Sequence, residues 1–81
     1  MATILAVDDE QPILELIKNG LQKDGHMVTG YVSAEQVPLN SLNRYDLIIL
    51  DIMMPGMDGF SFCEKIRSIV DCPILFLTAK T

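Results

Sequence analysis

The 81-residue sequence has no tryptophan, a single histidine and two cysteines, and its six basic residues nowhere form a run. With 11 acidic residues against 6 basic ones and a formal charge of −5, the segment repels phosphate backbones, which argues against direct nucleic-acid binding. Its few aromatics are too scattered to form a base-stacking platform. Cys63 and Cys72 lack CxxC spacing and read as reduced, buried or half-buried thiols of a cytosolic protein. No apolar stretch approaches the ~20 residues of a membrane helix, so no membrane role is expected. Met1-Ala2-Thr3 lacks the basic region and cleavage site of a signal peptide. Neither GxxxxGK[ST] nor GxGxxG occurs, which removes the common nucleotide-binding loops. What the chain does have is 49% hydrophobic residues, ample for a buried core and against disorder. Its length fits one domain at most, 1–81, burying a smaller share of its surface than a full domain would.

Four short apolar runs organise the chain: Ile4-Leu5-Ala6-Val7, Met27-Val28, Leu47-Ile48-Ile49-Leu50 and Ile74-Leu75-Phe76-Leu77. The first, third and fourth are continuous, as in strands buried on both faces of a parallel sheet. The second, with Thr29 and Tyr31 mixed in, suits an edge. From Gln11 to Lys23, Ile13, Ile17 and Leu21 recur at helical spacing beside Leu14, with Pro12 at the start and Gly25 at the stop. Ser33 and Gln36 have capping-box spacing, but Pro38 makes that helix short, irregular or late-starting. A third helix is expected from about Gly59 to Ile69, with Phe60, Cys63, Ile66 and Val70 inward. The order βαβαβαβ with right-handed crossovers predicts a three-layer α/β sheet. In the flavodoxin-like doubly wound arrangement its strand order is 2-1-3-4.

Strand ends carry the chemistry. Asp8-Asp9-Glu10 follow the first strand, Asp51 closes the third and Thr78 follows the fourth, at the C-terminal edge where open α/β sheets bind ligands. With strands one and three about 4.8 Å apart, Asp9 and Asp51 come within reach of one cation. Two ionised carboxylates ~4 Å apart repel by about 4 kcal/mol at an effective dielectric of about 20, so either one protonates or a hard cation joins them. Oxygen ligands favour Mg²⁺. The scaffolding alternative has Asp8, Asp9 and Glu10 merely capping the first helix and Asp51 serving a turn. Pro55-Gly56 and Asp58-Gly59 read as turn residues, and His26 as a surface residue. Lys18, Lys23, Lys65 and Arg67 read as solvated helix faces.

Three motifs in order, Val7-Asp8-Asp9-Glu10, Leu50-Asp51-Ile52-Met53-Met54-Pro55-Gly56-Met57-Asp58-Gly59 and Leu77-Thr78-Ala79, resemble the receiver domain of two-component response regulators. The style resembles the winged-helix (OmpR/PhoB-like) subfamily. The resemblance implies a CheY-like fold and a phosphoacceptor switch rather than an enzyme, with only weak self-catalysed phosphotransfer and dephosphorylation. Asp51 would take phosphate from a sensor histidine kinase, the expected partner, in the cytoplasm. Asp9 would ligate Mg²⁺ directly, Asp8 directly or through water, and Met53 through its backbone carbonyl. Thr78 would bond a phosphoryl oxygen and move on phosphorylation.

Against the family pattern, a fourth helix, fifth strand and fifth helix do not follow Thr81, nor does the lysine that the family places after the fifth strand. Lys80, two residues past Thr78, does not take that role. The 81 residues are therefore expected to be the N-terminal two-thirds of the domain in a longer regulator. The fourth strand becomes an apolar edge, so marginal stability, or self-association through that strand or exchanged elements, is expected. DNA would be reached only through an output domain elsewhere. Two alternatives remain open: a non-phosphorylatable fragment or pseudo-receiver acting as a protein-interaction module, and an aspartyl-phosphate phosphohydrolase. The second wants an acid two residues after the nucleophile, where Met53 stands.

Overall fold

The computed structural model describes residues 1–77 of the chain. Its elements are β1 (Thr3–Val7), α1 (Gln11–Lys23), β2 (Met27–Tyr31), two 3-10 segments (Ala34–Gln36 and Leu39–Arg44), β3 (Leu47–Asp51), α2 (Gly59–Ile66) and β4 (Ile74–Leu77). The strands pair in parallel in the order β2-β1-β3-β4, as the sequence predicts.

Alternation along the strands sorts their apolar residues between two cores. Ile4, Ala6 and Ile49 pack with Leu14 of α1 on one face. Leu5, Val7, Ile48 and Leu50 meet Phe62, Cys63, Ile66 and Val70 on the other. Three layers result. β1 and β3 lie at the centre with nearly every residue buried. β4 has the continuous apolar pattern of a strand covered on both faces, yet among the described residues it is, as expected, an edge, and Leu75 is 54% exposed.

Helix ends obey local rules. Pro12 sits in the first turn of α1, where its missing N–H removes no helical bond. At the other end, the Gly25 N–H (φ 90) donates to the Gln22 carbonyl at 3.0 Å, and the His26 N–H donates to the Leu21 carbonyl at 3.2 Å. Those two bonds make a Schellman stop. The expected capping box does not form: the Ser33 side chain makes no cap bond, and the stretch folds as two 3-10 segments around Pro38. A proline there can donate no backbone hydrogen bond, so one continuous helix is not available.

Two side chains fall elsewhere than expected. Phe60 is 54% exposed, its ring lying 4.9 Å from that of Phe76, while Phe62 fills the core. The buried stripe is Phe62, Cys63, Ile66 and Val70, and Phe60 stands roughly 200° from Phe62 around the helix axis. The regular helix also ends at Ile66, three residues before Ile69. His26 is half-buried rather than a surface residue, and its Nδ1 accepts the Ala2 N–H at 3.0 Å. Asp46 does comparable work opposite, its Oδ2 accepting the Thr3 N–H at 2.8 Å while its own N–H donates to the Thr3 carbonyl at 2.7 Å. The start of β1 is thus held from both sides.

Cys63 and Cys72 are free thiols, the first buried and the second half-buried. Burial pushes the Cys72 thiol up, so it stays protonated and unreactive at neutral pH. No helix among the described residues is long and apolar enough to cross a membrane.

Candidate functional site

The register sets the site. Val7 pairs with Leu50, so the next residue of each chain segment, Asp8 and Asp51, emerges at the same edge of the sheet. Asp8 follows β1 and Asp51 ends β3, both strands buried on both faces, and both residues are buried, at 1% and 2% exposure. Asp9 follows and is exposed. One carboxylate oxygen from each of Asp8, Asp9 and Asp51 lies within 4.8 Å of the other two.

Asp8 is the informative member. Its Oδ1 accepts the Glu10 N–H at 2.9 Å, an Asx turn that sets the entry to α1. Its Oδ2 is fully buried with no hydrogen-bond partner among the described residues. A scaffolding role accounts for the first oxygen and not for the second. The capping alternative is weakened further because Glu10 occupies the N-cap position without a side-chain cap bond, and the first turn of α1 holds no acid.

Burying a carboxylate oxygen without a donor is costly, and Asp8 and Asp51 add like-charge repulsion of about 3 kcal/mol at an effective dielectric of about 20. A hard cation ligated by oxygens relieves both. The donor set is all oxygen, with no imidazole or thiolate in the cluster. The residues therefore fit Mg²⁺.

The loop from β3 to α2 is shaped around Asp51. The Gly59 N–H donates to the Ile52 carbonyl at 3.0 Å. A Cβ on Gly59 would overlap the Asp51 carbonyl oxygen and lie 3.0 Å from Ile52 Cα. Asp58 caps α2, its Oδ1 accepting the Ser61 N–H at 2.8 Å. Gly56 takes φ 77, and Glu35 Oε2 accepts the Met57 N–H at 3.1 Å. The Met53 side chain is 66% exposed. Thr78 and Lys80 lie outside the described residues.

Sequence reasoning found the three aspartates and the turn residues. It named both Asp8 and Asp9 as ligands; the structure buries Asp8 and leaves Asp9 exposed, with both in the cluster. It did not find Glu35 or the contact at Gly59. The Pro-Gly and Asp-Gly pairs signalled a turn there, but nothing local marks which glycine touches β3 or which distant acid meets the turn.

Comparison with known proteins agrees with this geometry. The family described as response regulator receiver domain matches residues 4–81. Over 81 residues the chain is 57% identical to the transcriptional regulatory protein SpaR of Bacillus subtilis, covering all of this chain and 37% of that protein. It thus spans little more than a third of that relative's length. The N-terminal domain of a response regulator receiver protein from Methanoculleus marisnigri superposes with a TM-score of 0.88 at 39% identity, covering 99% of this chain and 68% of that one. The response regulator TrrA from Thermotoga maritima, solved in complex with Mg²⁺-BeF, superposes with a TM-score of 0.82 at 36% identity, covering 98% and 72% of the two chains.

Proposed function

Since this chain belongs to the response regulator receiver domain family, we propose that residues 1–81 serve as the phosphoacceptor module of a two-component response regulator, with Asp51 accepting the phosphoryl group from a sensor histidine kinase. The observation that carries this reading is the buried Asp8 Oδ2, without a hydrogen-bond partner among the described residues, beside Asp51 and Asp9. Asp8 and Asp9 would hold Mg²⁺ together with Asp51 and, by family resemblance, the Met53 carbonyl. The ion would supply neutralisation of charge on the transferring group. An Asp51 carboxylate oxygen attacks phosphorus, the P–N bond to the kinase histidine breaks, and the departing imidazole keeps the electron pair and takes up a proton. A carboxylate is a weak nucleophile, so positioning and electrostatics carry the reaction. By the same resemblance, Thr78 bonds a phosphoryl oxygen and relays the change.

On this reading the protein is a cytoplasmic signalling switch and not an enzyme. Its only catalysis is weak phosphotransfer to and hydrolysis at its own aspartate. The relative SpaR is a transcriptional regulatory protein, which supports DNA being reached through a separate output domain. Self-association along β4 belongs to the same reading. It predicts a sedimentation coefficient for residues 1–81 that rises with concentration; a constant monomer value would count against it.

The test is intact mass after incubation with Mg²⁺ and an acyl phosphate, with Asp51→Asn alongside. The expected result is a gain of one phosphoryl group in the natural sequence, lost with the substitution and with chelation of the ion. A protein that folds, binds Mg²⁺ and never gains phosphate would instead be an interaction module.

A further inference from the structure

The connection after β3 must return past Asp51 and present the start of α2, and the structure shows what holds its middle. At its end, Gly59 bonds back to Ile52 and Asp58 caps α2. Between these, the Met57 N–H reaches Glu35, 22 residues earlier, at 3.1 Å. Glu35 lies in the 3-10 segment that follows β2. Because β2 and β3 flank β1, the bond ties together connections on either side of the strand end that carries Asp8.

Glu35 and Gly56 are also matched in shape. Gly56 holds φ 77, and a Cβ built on it would lie 2.6 Å from Glu35 Oε2. The carboxylate therefore sits in space that only glycine leaves open, against a turn that only glycine adopts without strain. A merely solvated surface acid would not be expected to place a charge-assisted bond there.

We propose that Glu35 is a positioning residue for cation binding and phosphoryl transfer at Asp51, acting by fixing the turn that carries Met53 to Met57. The inference rests on the phosphoacceptor reading, in which the Met53 carbonyl is a ligand. Glu35 is exposed, so losing its bond loosens the turn more than the fold. The effect should fall on ion affinity rather than on the melting temperature.

The experiment is calorimetric Mg²⁺ titration of the full chain, with the Met57 amide followed by NMR, in the natural sequence and in Glu35→Ala, Glu35→Asp and Glu35→Gln. Glu35→Ala removes the acceptor, and Glu35→Asp keeps the charge but withdraws the oxygen by one methylene. Both should weaken binding about five-fold, the equivalent of about 1 kcal/mol, and shift the Met57 amide out of its hydrogen-bonded position. Glu35→Gln keeps an acceptor and should bind within about two-fold of the natural sequence. Natural affinity in Glu35→Asp, or a Glu35→Gln as weak as Glu35→Asp, overturns the inference whether or not Glu35→Ala folds. A natural sequence that binds no Mg²⁺ overturns the underlying phosphoacceptor reading instead.

Discussion

Asp8→Asn should make the metal-free protein more stable while removing its response to Mg²⁺. The substitution keeps the Oδ1 that accepts the Glu10 N–H at 2.9 Å. It also exchanges the buried Oδ2, which has no hydrogen-bond partner among the described residues, for an amide that can donate to a neighbouring carboxylate. The like-charge repulsion with Asp51 disappears, and after the cost of burying an amide the net gain is about 2 kcal/mol. For a chain of this size that corresponds to a rise in melting temperature of roughly 10 °C. Mg²⁺ in hundred-fold excess over its dissociation constant would stabilise the natural protein by about 2.7 kcal/mol, and almost nothing of this should survive the substitution. Melts followed by circular dichroism with and without Mg²⁺ give both numbers. A lower metal-free melting temperature, or an undiminished shift on adding Mg²⁺, would show that Asp8 is scaffolding.

Gly59→Ala is expected to reverse the usual sign of a glycine-to-alanine change in a helix. In an open helical position the exchange gains roughly 0.5–1 kcal/mol. Gly20 of α1 is such a position, where an added methyl would meet nothing within 4 Å. At Gly59 the added Cβ overlaps the Asp51 carbonyl oxygen and comes within 3.0 Å of the Asp51 carbonyl carbon and Ile52 Cα. These are backbone atoms of a central strand and its exit, so no rotamer change relieves the overlap. Either α2 moves off the sheet, losing packing of Phe62 and Ile66, or the Asp51 backbone shifts. We expect a loss of about 3 kcal/mol, a melting temperature lower by more than about 10 °C and weakened Mg²⁺ binding. Gly20→Ala is the matched control and should melt slightly higher than the natural sequence. Equal melting temperatures for the two variants would mean that α2 docks more loosely than the structure shows.

The strands were legible because their signals are local and redundant, and their order followed once the flavodoxin-like arrangement was taken for a βαβαβαβ chain. Ile4 to Val7 and Leu47 to Leu50 have no polar residue to alternate with, as in strands covered on both faces. Placing Asp51 at a strand end then followed from chain position alone. Pro38 likewise announced a broken helix before the two 3-10 segments were seen. The motif around Asp51 carried the family resemblance because its residues are contiguous.

Where reading failed, the missing information was rotational or long-range. Phe60 and Phe62 are equally apolar, and only the docking of α2 on Leu5 and Leu50 decides which enters the core. The Asp8-Asp9 pair names two candidate ligands without saying which is buried; the turn from β1 to α1 settles that by spending one Asp8 oxygen on Glu10. His26 gives no hint in sequence of its bond to Ala2, nor Glu35 of its bond to Met57, because each partner is more than twenty residues away.

By itself, then, the sequence determined the α/β class, the acids at the strand ends and the family, which follow from period, punctuation and contiguous motif, while the strand order came from taking the flavodoxin-like arrangement. Tertiary structure alone decided that Asp8 rather than Asp9 is the buried acid, that Gly59 touches the carbonyl of Asp51, and that Glu35 braces the turn beyond it. Those three depend on how closely separate segments approach one another, and a distance between segments is fixed by packing rather than by any residue's own preference.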